Sequence, residues 1–133
     1  MKLFLDTNIF MDMLFDREHG IYAKQIIQLI QNRTHEGYIA DITLLNIDYV
    51  AKKQCKEIRK FLYFIEKHFI ITGADNTDMF TALKLDNSDL EDNVQAVFAK
   101  RLACDFIISN DKSFIQSSLS VLEAKLFLAQ YSS

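Results

Sequence analysis

Ser88-Asp89-Leu90-Glu91-Asp92-Asn93-Val94-Gln95-Ala96-Val97-Phe98, running through Leu102 to Phe106-Ile107-Ile108-Ser109-Asn110-Asp111, is the stretch on which the fold turns. Its start, Ser88-Asp89-Leu90-Glu91, matches a capping box, in which a hydroxyl and a carboxylate three residues apart satisfy backbone N–H groups. Leu90, Val94, Val97, Phe98 and Leu102 then fall on one face at helical spacing. Phe106-Ile107-Ile108 follows as a short strand.

The same alternation continues outward. Lys2 to Leu5 reads as a buried strand ended by Asp6-Thr7-Asn8, with a short helix from about residue 9 to 15. Tyr22, Ile26, Leu29 and Ile30 make an amphipathic stripe, which Gly37 is expected to break before a second strand, Tyr38-Ile39-Ala40. Asp41 is the expected N-cap of a helix carrying Leu44, Leu45 and Ile47. A charged helical stretch runs on to Lys67, then a third strand, Phe69-Ile70-Ile71-Thr72, closes at Gly73. Residues 75–85 read as a helix, and Ser120-Val121-Leu122 as a weak fifth strand before a terminal helix. Strand and helix alternating in this way predict a parallel sheet with helices on both faces.

Composition narrows the class. With 133 residues, half of them apolar and no proline, the chain fits one domain, 1–133, with no internal boundary. Cys55 and Cys104 lie far apart with no Cys/His cluster around them, and read as buried reduced thiols of a cytoplasmic protein. The longest apolar run, Phe61-Leu62-Tyr63-Phe64-Ile65, is too short to span a bilayer. A formal charge of −3 argues against coating nucleic acid by bulk charge, but not against a local basic patch.

Ligands of parallel sheets bind at the carboxyl ends of the strands. Asp6 ends the first strand and Asp111 follows the fourth, while Asp89 and Asp92 share one side of a helix's first turn. Singly, each has a structural explanation, since the helix dipole favours acids at its start and Asp is common in turns; Glu91 is accounted for by capping. Together they form an all-oxygen set of the kind that selects Mg²⁺ or Mn²⁺ over zinc.

Three blocks carry a resemblance. Leu3-Phe4-Leu5-Asp6-Thr7-Asn8, Asp89-Leu90-Glu91-Asp92 with Val94-Gln95-Ala96, and Ala103-Cys104-Asp105 through Ser109-Asn110-Asp111-Lys112-Ser113-Phe114 resemble, in order, the motifs of PIN domains. The resemblance implies a three-layer α/β/α sandwich around a parallel sheet of four to five strands. It implies an endoribonuclease dependent on Mg²⁺ or Mn²⁺, with Asp6, Asp92 and Asp111 as metal ligands and Asp89 and Asp105 as auxiliary acids. Many PIN proteins of this size are toxins of type II toxin–antitoxin pairs, so RNA, a small cognate antitoxin and a second copy of the chain are the expected partners. The family's second acid falls at Asn46, in Ile42-Thr43-Leu44-Leu45-Asn46, where an amide brings no charge. Asp48 is no substitute, since two residues turn a helix roughly 200°.

Further candidates complete the reading. Lys52, Lys53, Lys56 and Arg59 cluster in sequence and, on a continuous helix, Lys52, Lys56 and Arg59 share a face that suits a phosphate backbone or plain solvent. His19, His35 and His68 have no ligand-spaced partners and read as surface or loop residues. Phe10, Met11, Met13, Leu14 and Phe15 form an apolar stretch for the core or a partner groove. Two other functions stay open: a PIN fold that binds RNA or protein without cutting, which Asn46 favours, and a phosphatase of the haloacid-dehalogenase type built on Asp6, which lacks the second Asp expected at Asn8.

Overall fold

Five short strands, each flanked by helix, make up this computed structural model, which describes residues 1–117 and 120–131. The first half runs β1 (Lys2–Leu5), α1 (Thr7–Leu14), α2 (Gly20–Gln31), β2 (Glu36–Ala40), α3 (Asp41–Ala51), α4 (Ile58–His68) and β3 (Phe69–Thr72). The second runs α5 (Asn76–Lys84), α6 (Leu90–Arg101), β4 (Phe106–Ile108), α7 (Lys112–Ser117), β5 (Val121–Leu122) and α8 (Ala124–Tyr131). The strands lie in the order β3-β2-β1-β4-β5, and every pair is parallel.

Alternation of side chains along β1 builds the layers. Leu3 and Leu5 face one way and pack with Phe10, Ile26, Ile47, Ile65 and Phe127 from α1–α4 and α8. Phe4 faces the other way, against Ala82, Phe98 and Phe114 of α5, α6 and α7. This is the expected α/β architecture with a five-strand parallel sheet flanked by helices. Strand order reverses at β1, with β2 on one side and β4 on the other, so the edge beyond Leu5 and Ile108 is a switch point of the kind that binds ligands.

Four local expectations change. The helix α2 ends at Gln31, well before Gly37, which sits inside β2. A Cβ on Gly37 would stand 2.6 Å from the Phe69 ring and 2.7 Å from Ile30 Cγ2, so its role is close approach rather than helix breaking. Gly37→Ala is expected to destabilise the fold by about 1–3 kcal/mol through overpacking, measurable by urea denaturation. Asp41 begins α3 without a side-chain capping bond. The helix predicted to run to Lys67 is broken between Ala51 and Ile58, both of which turn inward. Lys52, Lys53 and Lys56 therefore lie in the turn and only Arg59 on α4, so Lys52, Lys56 and Arg59 share no helix face.

Burial decides one open reading and corrects another. Phe10 and Met11 are buried, and Met13, Leu14 and Phe15 pack on the same core, so this stretch is no partner groove. Exposed apolar side chains instead crowd α3 (Ile42, Leu45, Tyr49) and α5 (Met79, Phe80, Leu83). His35 is buried, its Nδ1 3.0 Å from the amino-terminal nitrogen and its ring edge-on to Phe127. Cys55 and Cys104 are half-buried free thiols. Among the described residues, no helix is long and apolar enough to cross a membrane.

Candidate metal centre

Asp6 stands at the first position beyond β1, its N–H donating to the Ile108 carbonyl at 3.0 Å. Its carboxylate is nearly closed off from solvent and held by three donors. Gln95 Nε2 donates to Oδ1 at 2.9 Å, while Asn8 Nδ2 and Ser109 Oγ each donate to Oδ2 at 2.8 Å. Burial raises the Asp6 pKa; the Gln95 and Ser109 hydrogen bonds oppose it and the nearby Asp111 charge adds to it. Ser109 is the joint of the site, because its Oγ also accepts the Asp111 N–H at 3.1 Å. Asp111 in turn accepts from the Ser113 N–H and hydroxyl, which fixes its carboxylate at the start of α7.

The opening turn of α6 brings the remaining acids, in a register one residue later than its sequence suggests. Asp89, not Ser88, caps α6, its carboxylate accepting the Asp92 N–H at 3.1 Å. A reciprocal capping box forms instead at Asp75 and Asp78 of α5. With capping done by Asp89, Glu91 is released to face α3, where Asn46 Nδ2 donates to its Oε1 at 3.1 Å. The Glu91 pKa is raised by partial burial of the carboxylate, then by Asp6 and Asp89, and lowered by Asn46.

Asp92 is 5% exposed, and its Oδ2 has no hydrogen-bond partner. Burial first, then the charges of Asp89, Asp6, Asp111 and Glu91, push its pKa up to about 7. In metal-free protein the folded state thus holds a proton that the unfolded chain releases near 3.8. The stability from this protonation is fully present at low pH and is lost as pH rises toward about 7. Asp92→Asn is accordingly expected to melt higher than wild type in EDTA, with the difference widening from about pH 4.5 to pH 7 and level above it. Thermal melts across that range check this; a constant or reversed difference contradicts it.

A hard cation is the other way to relieve such a cluster. No three Asp, Glu, His or Cys side chains among the described residues already stand in position to grip an ion together. The chemistry of the donor set fits one nonetheless: four mutually repelling carboxylates around Asp92, an orphaned buried oxygen, and no nitrogen or sulfur ligand among them.

Asp6, Asp89, Asp92 and Asp111 therefore gather at one edge, with Asn46 touching it through Glu91. Asp105 does not join them, since it lies before β4, at the opposite edge, and accepts the Lys2 N–H at 2.8 Å. Lys52, Lys53, Lys56 and Arg59 are exposed, with Lys52 Nζ 5.9 Å from the centre of the Tyr49 ring. The sequence did not reveal that Gln95 and Ser109 hold Asp6 or that Glu91 meets Asn46. Gln95 follows Asp92 by three residues, which on a helix places both over one pocket. Asn8 serves as a donor to Asp6, which leaves the dehalogenase-type reading without its second acid.

Known proteins share this fold and much of this sequence's length. A curated relative, Ribonuclease VapC1 of Aquifex aeolicus (strain VF5), is 26% identical, over 98% of this chain and 95% of that protein. A toxin–antitoxin complex from Klebsiella pneumoniae shares the fold at a TM-score of 0.68 and 21% identity, over 92% of this chain and 97% of that one. VapBC-1 from nontypeable Haemophilus influenzae does so at a TM-score of 0.66 and 16% identity, over 94% and 99%. VapBC2 from Rickettsia felis, solved bound to a DNA fragment from its promoter, gives 0.64 and 18%, over 92% and 98%. Residues 2–113 match the PIN domain family, and the chain belongs to it.

Proposed function

We propose that this protein is a Mg²⁺- or Mn²⁺-dependent endoribonuclease, the toxin of a type II toxin–antitoxin pair. The observation that carries the reading is the gathering of Asp6, Asp92 and Asp111 at the β1/β4 edge around the unpartnered Asp92 oxygen. These three would hold the cation. When bound, it supplies an activated water and charge neutralisation on a phosphodiester.

The protein's own part is positioning. Gln95, Asn8 and Ser109 fix the Asp6 carboxylate, Ser113 fixes Asp111, and Asp89 fixes the turn that carries Asp92. Asp89 also adds negative charge beside Asp92. Lys52, Lys53 and Lys56, in the turn, and Arg59, on α4, remain candidates for phosphate contacts.

Support for RNA as substrate, and for an antitoxin as partner, comes from the ribonuclease and toxin–antitoxin relatives. The apolar side chains exposed on α3 and α5 offer surfaces that fit a second copy or an antitoxin. The non-cutting reading keeps one observation, the amide at Asn46. Incubation of purified protein with labelled single-stranded RNA in Mn²⁺ tests the choice. Cleavage that stops in EDTA supports the nuclease, and RNA retention without cleavage supports the binding module.

A further inference from the structure

Asn46 leaves α3 without a carboxylate on the side that meets the acidic edge. What it has instead is a partner: its Nδ2 donates to Glu91 Oε1 at 3.1 Å. An amide at this place attracts Glu91, whereas a carboxylate there would repel it. Glu91 has no capping duty, because the α6 cap is the Asp89 carboxylate on the Asp92 N–H. Its neighbour one position on, Asp92, is more than nine-tenths buried and carries an oxygen with no hydrogen-bond partner.

We infer that Glu91 supplies the carboxylate that position 46 lacks, delivered to the metal centre from α6 rather than α3 and oriented by the Asn46 amide. The inference rests on the metal-dependent reading above and adds to it. Two positions exchange roles: the acid moves to 91, the neutral hydrogen-bond donor to 46, and the anionic charge facing the cation is kept. Glu91 is then a ligand-side residue and Asn46 a positioning residue.

A plain alternative is that Glu91 only complements the positive end of the α6 dipole. That role affects folding stability without any effect on cation affinity, so the two separate cleanly. The experiment is calorimetric titration of the intact protein with Mn²⁺ alone, for wild type, Glu91→Gln, and the exchange variant Asn46→Glu/Glu91→Gln. Melting temperatures in EDTA confirm that all three fold. Glu91→Gln is expected to bind Mn²⁺ about tenfold more weakly or worse. The exchange variant is expected to recover affinity to within about threefold of wild type, because the charge is returned from the α3 side.

Equal affinity in wild type and Glu91→Gln overturns the inference and leaves the metal reading standing. Weakened binding that the exchange variant does not restore also overturns it, since positions 46 and 91 then do not share one place. Absence of Mn²⁺ binding in wild type overturns both.

Discussion

Asp6→Asn is expected to abolish saturable Mn²⁺ binding and to slow RNA cleavage by about a thousandfold or more. The cation's share of transition-state stabilisation is several kcal/mol, and each 1.36 kcal/mol is tenfold in rate. The substitution keeps the shape of the side chain but removes the charge at the centre of the β1/β4 edge. It also sets an amide N–H against a present donor, Gln95 Nε2 at the Oδ1 position or Asn8 Nδ2 and Ser109 Oγ at the Oδ2 position, so part of the carboxylate's hydrogen-bond frame is lost with its charge. Stability in EDTA should not fall in step, because burial disfavours the ionised Asp6 in the first place. Single-turnover rates at saturating Mn²⁺, beside calorimetry, check this. Retention of a wild-type rate would remove Asp6 from the chemistry.

Phe10→Ala is expected to cost about 3–5 kcal/mol of folding stability, the range for emptying a buried aromatic site. Phe10 is fully buried, with ring centroids 5.4 Å from Phe69 and 6.3 Å from Phe61, both edge-on. It joins α1 to α4 and β3 directly under the strand that presents Asp6. Urea denaturation measures the loss, and the α3 and α5 faces predict that any self-association survives it. Had residues 10–15 formed a partner surface, the variant would keep its stability and lose association instead.

These expectations show where sequence was sufficient. Runs such as Leu3-Phe4-Leu5 and Phe69-Ile70-Ile71 identified strands because a buried parallel sheet asks for continuous apolar residues. Asp6 and Asp111 were legible because each directly follows such a run or its short loop. The break at residues 52–57 was not, since Lys, Gln and Glu favour helix and no Gly or Pro marks the turn. Ala51 and Ile58 are both buried, but their seven-residue spacing would put them on one face of an unbroken helix as well, so the apolar pattern does not mark the turn either.

The start of α6 was ambiguous for a similar reason. Ser88 and Asp89 are both good caps, and choosing between them shifts the helix register by one residue. In the earlier register Glu91 closes a capping box; in the observed one it reaches Asn46. Asn46 and Gln95 share a lesson, that amides at an acidic edge act by holding carboxylates, which spacing alone does not reveal. Gln95 stood in the second motif block with no role assigned, and its Nε2 orients Asp6. Leu90, assigned to that face, is exposed instead.

Binding of a cation at the carboxyl ends of β1 and β4 is the central claim to test. A crystal soaked in Mn²⁺, with anomalous scattering recorded at the manganese edge, locates the ion directly. The predicted result is a peak bounded by the carboxylates of Asp6, Asp92 and Asp111, with Asp92 Oδ2 no longer unpartnered. A well-ordered site at millimolar Mn²⁺ with no peak there, or with manganese elsewhere on the surface, would contradict the metal centre and the nuclease built on it.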